Sequence, residues 1–241
     1  MKDKQTFSRS VLLGTSALAC GALALNLMSG LSRAGNTSNE PSTNASTTKV
    51  STKTPKTTVQ VPAGKEVATL AAGCFWSMEA IYEQLQGVDK VEPGYAGGTV
   101  ANPAYERVGQ GNTGHAEAVN IIFDPKQISY RQLLQVMLTM RDPTTLNRQG
   151  PDAGTNYRSV IFTHNPQQQK TAVAAIREVA AAKIWNDPIV TPVTPFTNFY
   201  QAEEYHRDYF RRQPDIAYSR SVIAPKIAAL RTKFKANIKP Q

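Results

Sequence analysis

Cys74 stands where a strand-like run gives way to a helix-like one, in Gly73-Cys74-Phe75-Trp76-Ser77-Met78-Glu79. The chain has two cysteines, and the other, Cys20, lies in an N-terminal apolar segment. Cys74 is therefore the only thiol of residues 65–237. The thiolate is the reactive form of cysteine, and free N–H groups at a helix start stabilise it, so the position reads as that of a nucleophile. Glu117 falls near the start of an otherwise apolar strand-like run, 116–123. A carboxylate there is either paired with a base or kept protonated by burial, and a protonated carboxyl is a proton donor. Two long segments, 97–114 and 141–157, are rich in polar and aromatic residues and include Tyr105, Asp152 and Tyr157. Long loops in a compact domain are usually functional.

Other chemistries fit these residues less well. His115-Ala116-Glu117 has the spacing of the His-x-Glu of zinc deaminases, but those also need Pro-Cys-x-x-Cys, which the chain lacks. A Cys-His peptidase could pair Cys74 with His206 in space, yet it leaves Glu117 and the tyrosines unexplained. An inactive binding module would be marked by loss of Cys74, Glu117 or the tyrosines, and all are present. His115 and His206 read as loop organisers, His164 as a surface residue, and Glu79 as a structural carboxylate that stabilises the helix start.

The elements that must position these groups follow from periodicity. Residues 66–72 read as a short buried strand ended by Gly73, and 75–86 as a helix with Phe75, Met78, Tyr82 and Leu85 on one face, ended by Gly87. Strands are expected over 88–95, 116–123 and 159–163, with 189–195 extended. Ser129 can cap a helix to about Met140, and Asn165-Pro166 can start another to about Lys183. The order is β-α-β-β-α-β, then α-β and a long irregular tail. That is an α+β two-layer sandwich with a ferredoxin-like (βαββαβ) core.

The chain of 241 residues carries a net charge of +9, which raises the question of nucleic acid. Its distribution argues against that: residues 1–65 are net +6 and 207–241 net +7, while 66–206 are net −4. The positive charge sits in the tails, as solvated surface or as attraction to anionic lipid. Lys2, Lys4 and Arg9 precede an apolar stretch, so residues 1–34 read as an export signal or membrane anchor. Three outcomes stay open: cleavage after Ala34; lipidation of Cys20 in the lipobox-like Ala17-Leu18-Ala19-Cys20; or retention as an uncleaved anchor. Each places the remainder outside the cytoplasm, in a periplasm or equivalent lumen. Residues 35–64, rich in Ser and Thr, read as a disordered tether, and 65–237 as one domain. With a single cysteine the domain can form no internal disulfide, which favours a thiol kept for chemistry.

Read in series, the motifs are specific. Gly73-Cys74-Phe75-Trp76 with Glu79 is followed by Tyr95-Ala96-Gly97-Gly98, Asn102-Pro103-x-Tyr105 and Thr113-Gly114-His115-Ala116-Glu117. Then come Asp142-Pro143-Thr144, Asn147-Arg148-Gln149-Gly150-x-Asp152, Tyr157-Arg158-Ser159 and Ala202-Glu203-Glu204-Tyr205-His206. Over about residues 66–235 the chain resembles the A-type peptide methionine sulfoxide reductases. The resemblance implies that Cys74 attacks the sulfoxide sulfur and that Glu117 protonates the oxygen. Tyr105 and Tyr157 would hydrogen-bond that oxygen, and Asp152 would hold a water or orient the tyrosines. Phe75 and Trp76 would wall the ε-methyl group. It further implies the S epimer as substrate, in oxidised proteins or as free methionine sulfoxide. No metal or organic cofactor is expected, nor any nucleic acid; the protein would be a monomer, with the N-terminus able to attach it to a membrane.

The chain departs from the family at the resolving thiol. Many relatives have Tyr-Cys before Val-Ile-x-Pro-Lys; here the run is Tyr218-Ser219-Arg220-Ser221-Val222-Ile223-Ala224-Pro225-Lys226. The region around Gly109, where some relatives place a cysteine, also lacks one. A serine hydroxyl cannot form a disulfide. The expectation is a single-cysteine enzyme whose sulfenic acid is resolved by an external thiol, from thioredoxin, glutaredoxin or glutathione.

Overall fold

The computed structural model describes residues 60–240. The expected export signal or anchor, Cys20 and most of the expected tether lie outside the described residues. Among the described residues no helix is long and apolar enough to cross a membrane.

In chain order the elements are β1 (Glu66–Ala72), α1 (Phe75–Tyr82), β2 (Val88–Ala96), α2 (Tyr105–Gly109), β3 (Ala116–Phe123), α3 (Tyr130–Met140), β4 (Arg148–Gln149), β5 (Asp152–Ala153), β6 (Ser159–Thr163), α4 (Pro166–Ala181), β7 (Val193–Pro195), β8 (Phe199–Gln201), α5 (Tyr209–Arg212) and α6 (Ala224–Lys233). The main sheet has the order β7-β6-β1-β3-β2-β8. Each of its middle four strands is antiparallel to the next, and together they form the ferredoxin-like core. β7 extends it in parallel beside β6, and β8 antiparallel beside β2. β3, central in the sheet, is buried along its whole length, so both of its faces are covered. Under one face lies the main core, with Leu70, Val119, Ile121 and Ile161 against Met78, Ile81, Leu133 and Leu134. The other face is built of small residues, Ala71, Ala96, Ala116 and Ala118, packed with Val160, Phe162 and Phe199.

Local signals set the helix starts. The Ser129 hydroxyl accepts the Gln132 N–H at 3.2 Å while the Gln132 side chain accepts the Ser129 N–H at 2.9 Å, a complete capping box for α3. The Asn165 side chain accepts the Gln168 N–H at 2.8 Å, and Pro166 opens α4.

The structure differs from the sequence reading of the scaffold at the end of α1, in the tail and at His164. Helix α1 ends at Tyr82, not near Gln86. Beyond it the chain turns and pairs with the C-terminal segment: the Gln86 N–H donates to the Asn237 carbonyl at 2.7 Å, and Leu85 bridges Ile238. The tail is not irregular, since it forms β8, α5, a π turn over Ser219–Ile223, and α6. Its basic residues are partly paired with the body, Arg211 with Glu83 at 3.0 Å among them. His164 is not a surface residue: it is half-buried, meets the Thr69 hydroxyl at 2.8 Å and stacks on Phe196.

Candidate active site

Gly73, at φ +84°, turns the chain from β1 into α1. A side chain there would overlap the Arg141 guanidinium and Gln149, so the turn requires glycine on both conformational and steric grounds. The turn delivers Cys74 to the N-cap of α1, 5 % exposed. Glu117 reaches the same point from β3, where it sits opposite Tyr95 of β2. Its Oε2 accepts the Phe75 N–H at 3.0 Å, and the Asn156 side chain also hydrogen-bonds it.

That hydrogen bond changes the expectation for the thiol. The first free N–H of the helix serves Glu117 rather than the sulfur. Burial first, and then the charge of Glu117, push the Cys74 thiol up to about 12, against smaller opposing help from Tyr218 and the Trp76 N–H. The resting cysteine is a thiol, not a helix-stabilised thiolate. Glu117 is itself 1 % exposed, and burial pushes its carboxyl up to about 8. At neutral pH it carries a proton that it can donate, the second of the two states open to it from sequence.

The loops bring the other expected groups to this pair. Tyr105 opens α2; its N–H donates to Glu203 Oε1 at 2.9 Å, while Glu203 Oε2 accepts the Tyr95 hydroxyl at 2.6 Å. Tyr157 closes the turn that follows β5, and its phenol interacts with Glu117, Tyr105, Cys74 and Asp152. Burial raises both phenols above their usual range, so each stays a proton-bearing donor. Asp152, in the β4–β5 ribbon, accepts the Tyr218 hydroxyl at 2.8 Å. Phe75 is 1 % exposed and belongs to the main core, whereas Trp76 is only partly buried. Trp76 stacks face to face on Tyr209 at 3.6 Å, and its indole N–H donates to His206 Nδ1 at 3.0 Å. His206 also lies 4.4 Å from the Tyr105 ring and 5.0 Å from the Phe75 ring, between centroids.

Several neighbours were not picked out from sequence. Tyr218 is hydrogen-bonded both to Asp152 and to Cys74; its only sequence signal was its place beside Ser219. Tyr209 came from the tail that looked irregular. Arg141 precedes Asp142-Pro143 and gave no sign of being buried. Glu79 does not serve the helix start: its side chain is buried and accepts the Asp208 N–H at 3.0 Å, fixing the segment that carries Tyr209. His115 does organise a loop, accepting the Gly98 N–H at 3.1 Å and meeting the Val100 carbonyl at 2.8 Å. Among the described residues no group of His, Cys, Asp and Glu is arranged to hold a metal ion.

A lone buried thiol, a protonated carboxyl one hydrogen-bonded residue away, two phenols and partly buried Trp76 bring a sulfur nucleophile and proton donors together on an α+β scaffold. Comparison with known proteins agrees. The family model described as peptide methionine sulfoxide reductase matches residues 66–238. The peptide methionine sulfoxide reductase MsrA of Polynucleobacter asymbioticus is 51 % identical, over 73 % of this chain and 93 % of its own length. That of Thermus thermophilus is 49 % identical, over 73 % and 99 %. Among solved structures, reduced Mxr1 of Saccharomyces cerevisiae aligns with a TM-score of 0.62 at 36 % identity, over 66 % of this chain and 92 % of that one. Methionine sulfoxide reductase A of Corynebacterium diphtheriae aligns with a TM-score of 0.57 at 32 % identity, over 64 % and 77 %. The chain belongs to the A-type peptide methionine sulfoxide reductase family and is an oxidoreductase of that class.

Proposed function

We propose that the domain reduces the S epimer of methionine sulfoxide, free or in oxidised proteins, through a sulfenic acid on Cys74 that an external thiol resolves. The observation that carries this reading is the Cys74–Glu117 pair, a sulfur nucleophile beside a carboxyl held protonated by burial. The Cys74 sulfur bonds the sulfoxide sulfur while Glu117 protonates the oxygen, with the Tyr105 and Tyr157 hydroxyls donating to it. The oxygen leaves as water, its second proton being the one that the Cys74 thiol gave up. A water then adds to the Cys74 sulfur, and the sulfur–sulfur bond breaks with its electron pair returning to methionine. The net change is sulfoxide plus thiol to thioether plus Cys74 sulfenic acid. Two equivalents of external thiol return the enzyme: the first forms a mixed disulfide and releases water, and the second displaces Cys74 as a thiol. None of these steps calls for a metal or organic cofactor.

Ser219 is what leaves resolution to an outside thiol. It is 0 % exposed, in the π turn next to Tyr218, and its hydroxyl has no hydrogen-bond partner among the described residues. In a single turnover without reductant, the wild-type protein is expected to stop as the Cys74 sulfenic acid, trapped by dimedone and seen by mass spectrometry. A protein disulfide, or the absence of the adduct, would sink the single-cysteine reading. Ser219→Cys is expected to form a disulfide with Cys74 after turnover; a sulfenic acid that persists in that variant would show that position 219 is not the resolving place.

The N-terminal run, Lys2, Lys4 and Arg9 before apolar residues, supports export of the domain, with thiol partners drawn from an extracytoplasmic pool. Cell fractionation of the full chain tests this, and recovery with cytosolic markers would refute it.

A further inference from the structure

Arg141 is the largest fully buried side chain of the domain, 2 % exposed. It follows α3, and its Nε–H donates to the carbonyl of Ala72, two residues before Cys74. Its Nη2 fills the space that a side chain on Gly73 would take, so the guanidinium lies directly behind the Gly73–Cys74 turn. Neither Nη atom finds a hydrogen-bond partner among the described residues. A guanidinium stays charged even when buried, and burying one without an anionic partner is costly.

The charged groups around it are few. Cys74, Asp152, Tyr218 and Tyr82 each interact favourably with it, and so does Glu117, whose carboxylate Arg141 favours. Lys226, on α6, turns its ammonium inward, also without a hydrogen-bond partner. Burial and repulsion by Arg141 push Lys226 down to about 7, so near neutrality it is about half charged and between pH 8 and 10 mostly neutral, while Arg141 holds the permanent positive charge.

We propose that Arg141 is a positioning residue for the chemistry of Cys74, whose guanidinium stabilises the sulfur whenever it becomes anionic, from behind the turn that Glu117 and the substrate approach in front. This rests on Cys74 being the nucleophile, but its test needs no substrate and so fails separately from the assignment of reductase activity. The Nε–H tether and the charge can be separated chemically. Arg141→Gln keeps an N–H at the position of Nε and removes the charge. Arg141→Lys keeps a charge near the position of the guanidinium and gives up the Nε–H.

The measurement is the rate at which iodoacetamide alkylates Cys74 in the full chain between pH 8 and 10, followed on the Cys74 peptide by mass spectrometry. The rate follows the thiolate fraction, and one pKa unit is about tenfold in it. Arg141→Gln is expected to lose about tenfold or more in rate. Arg141→Lys is expected to stay within about threefold of wild type. Circular dichroism confirms that each variant is folded. A folded Arg141→Gln protein alkylated at the wild-type rate would overturn the proposal. If Arg141→Gln does not fold, Arg141→Lys decides alone, and a tenfold loss in that folded variant would overturn it equally.

Discussion

Cys74→Ser will abolish reduction of methionine sulfoxide, with kcat/KM falling at least roughly a thousandfold, the scale seen when a catalytic nucleophile is removed. The reason is chemical, not spatial. Serine fits the N-cap of α1 at least as well as cysteine and can take up an N–H of the first turn. Its hydroxyl is a far poorer nucleophile toward sulfur and cannot take up the two oxidising equivalents as a sulfenic acid. The fold should therefore survive, with near-native circular dichroism and thermal unfolding. The assay uses resolved sulfoxide epimers, free and in a short peptide, with several thiol donors. Activity that survives the substitution would refute the central assignment, and peptide cleavage by the wild type would favour a Cys-His hydrolase instead.

The second large effect is at Glu117. Glu117→Gln removes the proton donor and leaves an amide of the same shape, so kcat/KM is expected to fall by about a hundredfold to ten-thousandfold. The pH profile distinguishes this from simple damage. The reactive form needs a deprotonated Cys74 and a protonated Glu117. Below about 8 Glu117 is protonated, and the thiol, at about 12, gains tenfold in thiolate per pH unit, so the rate rises with pH. Above about 8 Glu117 loses its proton at the same tenfold rate, the two changes offset one another, and the profile flattens. In Glu117→Gln the bend near 8 should vanish, and the reduced rate should go on rising. The thiol pKa should also fall, because the carboxylate that raised it is gone. A variant that keeps the bend would show that another group supplies the proton.

Much of the scaffold was legible because its signals are local. The capping pair Ser129 and Gln132, the Asn165-Pro166 start and the apolar run before Gly73 each act within a turn or two of themselves. The motifs named Cys74, Glu117, Tyr105, Asp152 and Tyr157, and the structure brings them together. What sequence could not supply was long-range. The C-terminal segment owes its order to partners far back in the chain, such as Arg231 with Gln84 and Asn237 with Gln86. The state of the thiol was misread for the same reason. A helix start favours a thiolate only if its N–H groups are free, and the first is claimed by Glu117, 42 residues further on. Arg141 was invisible because an arginine after an amphipathic helix ordinarily points to water.

The stack of Trp76 on Tyr209 has a practical consequence. The chain has only two tryptophans, and Trp185 donates its indole N–H to the Leu138 carbonyl. Trp76, two residues from Cys74, has its ring face against Tyr209 and its N–H on His206. With Trp76 as a wall of the proposed substrate site, a bound sulfoxide would change these surroundings and hence its fluorescence. Emission from Cys74→Ser, which can bind without turning over, should shift on adding substrate, so occupancy can be followed optically in real time with no label attached.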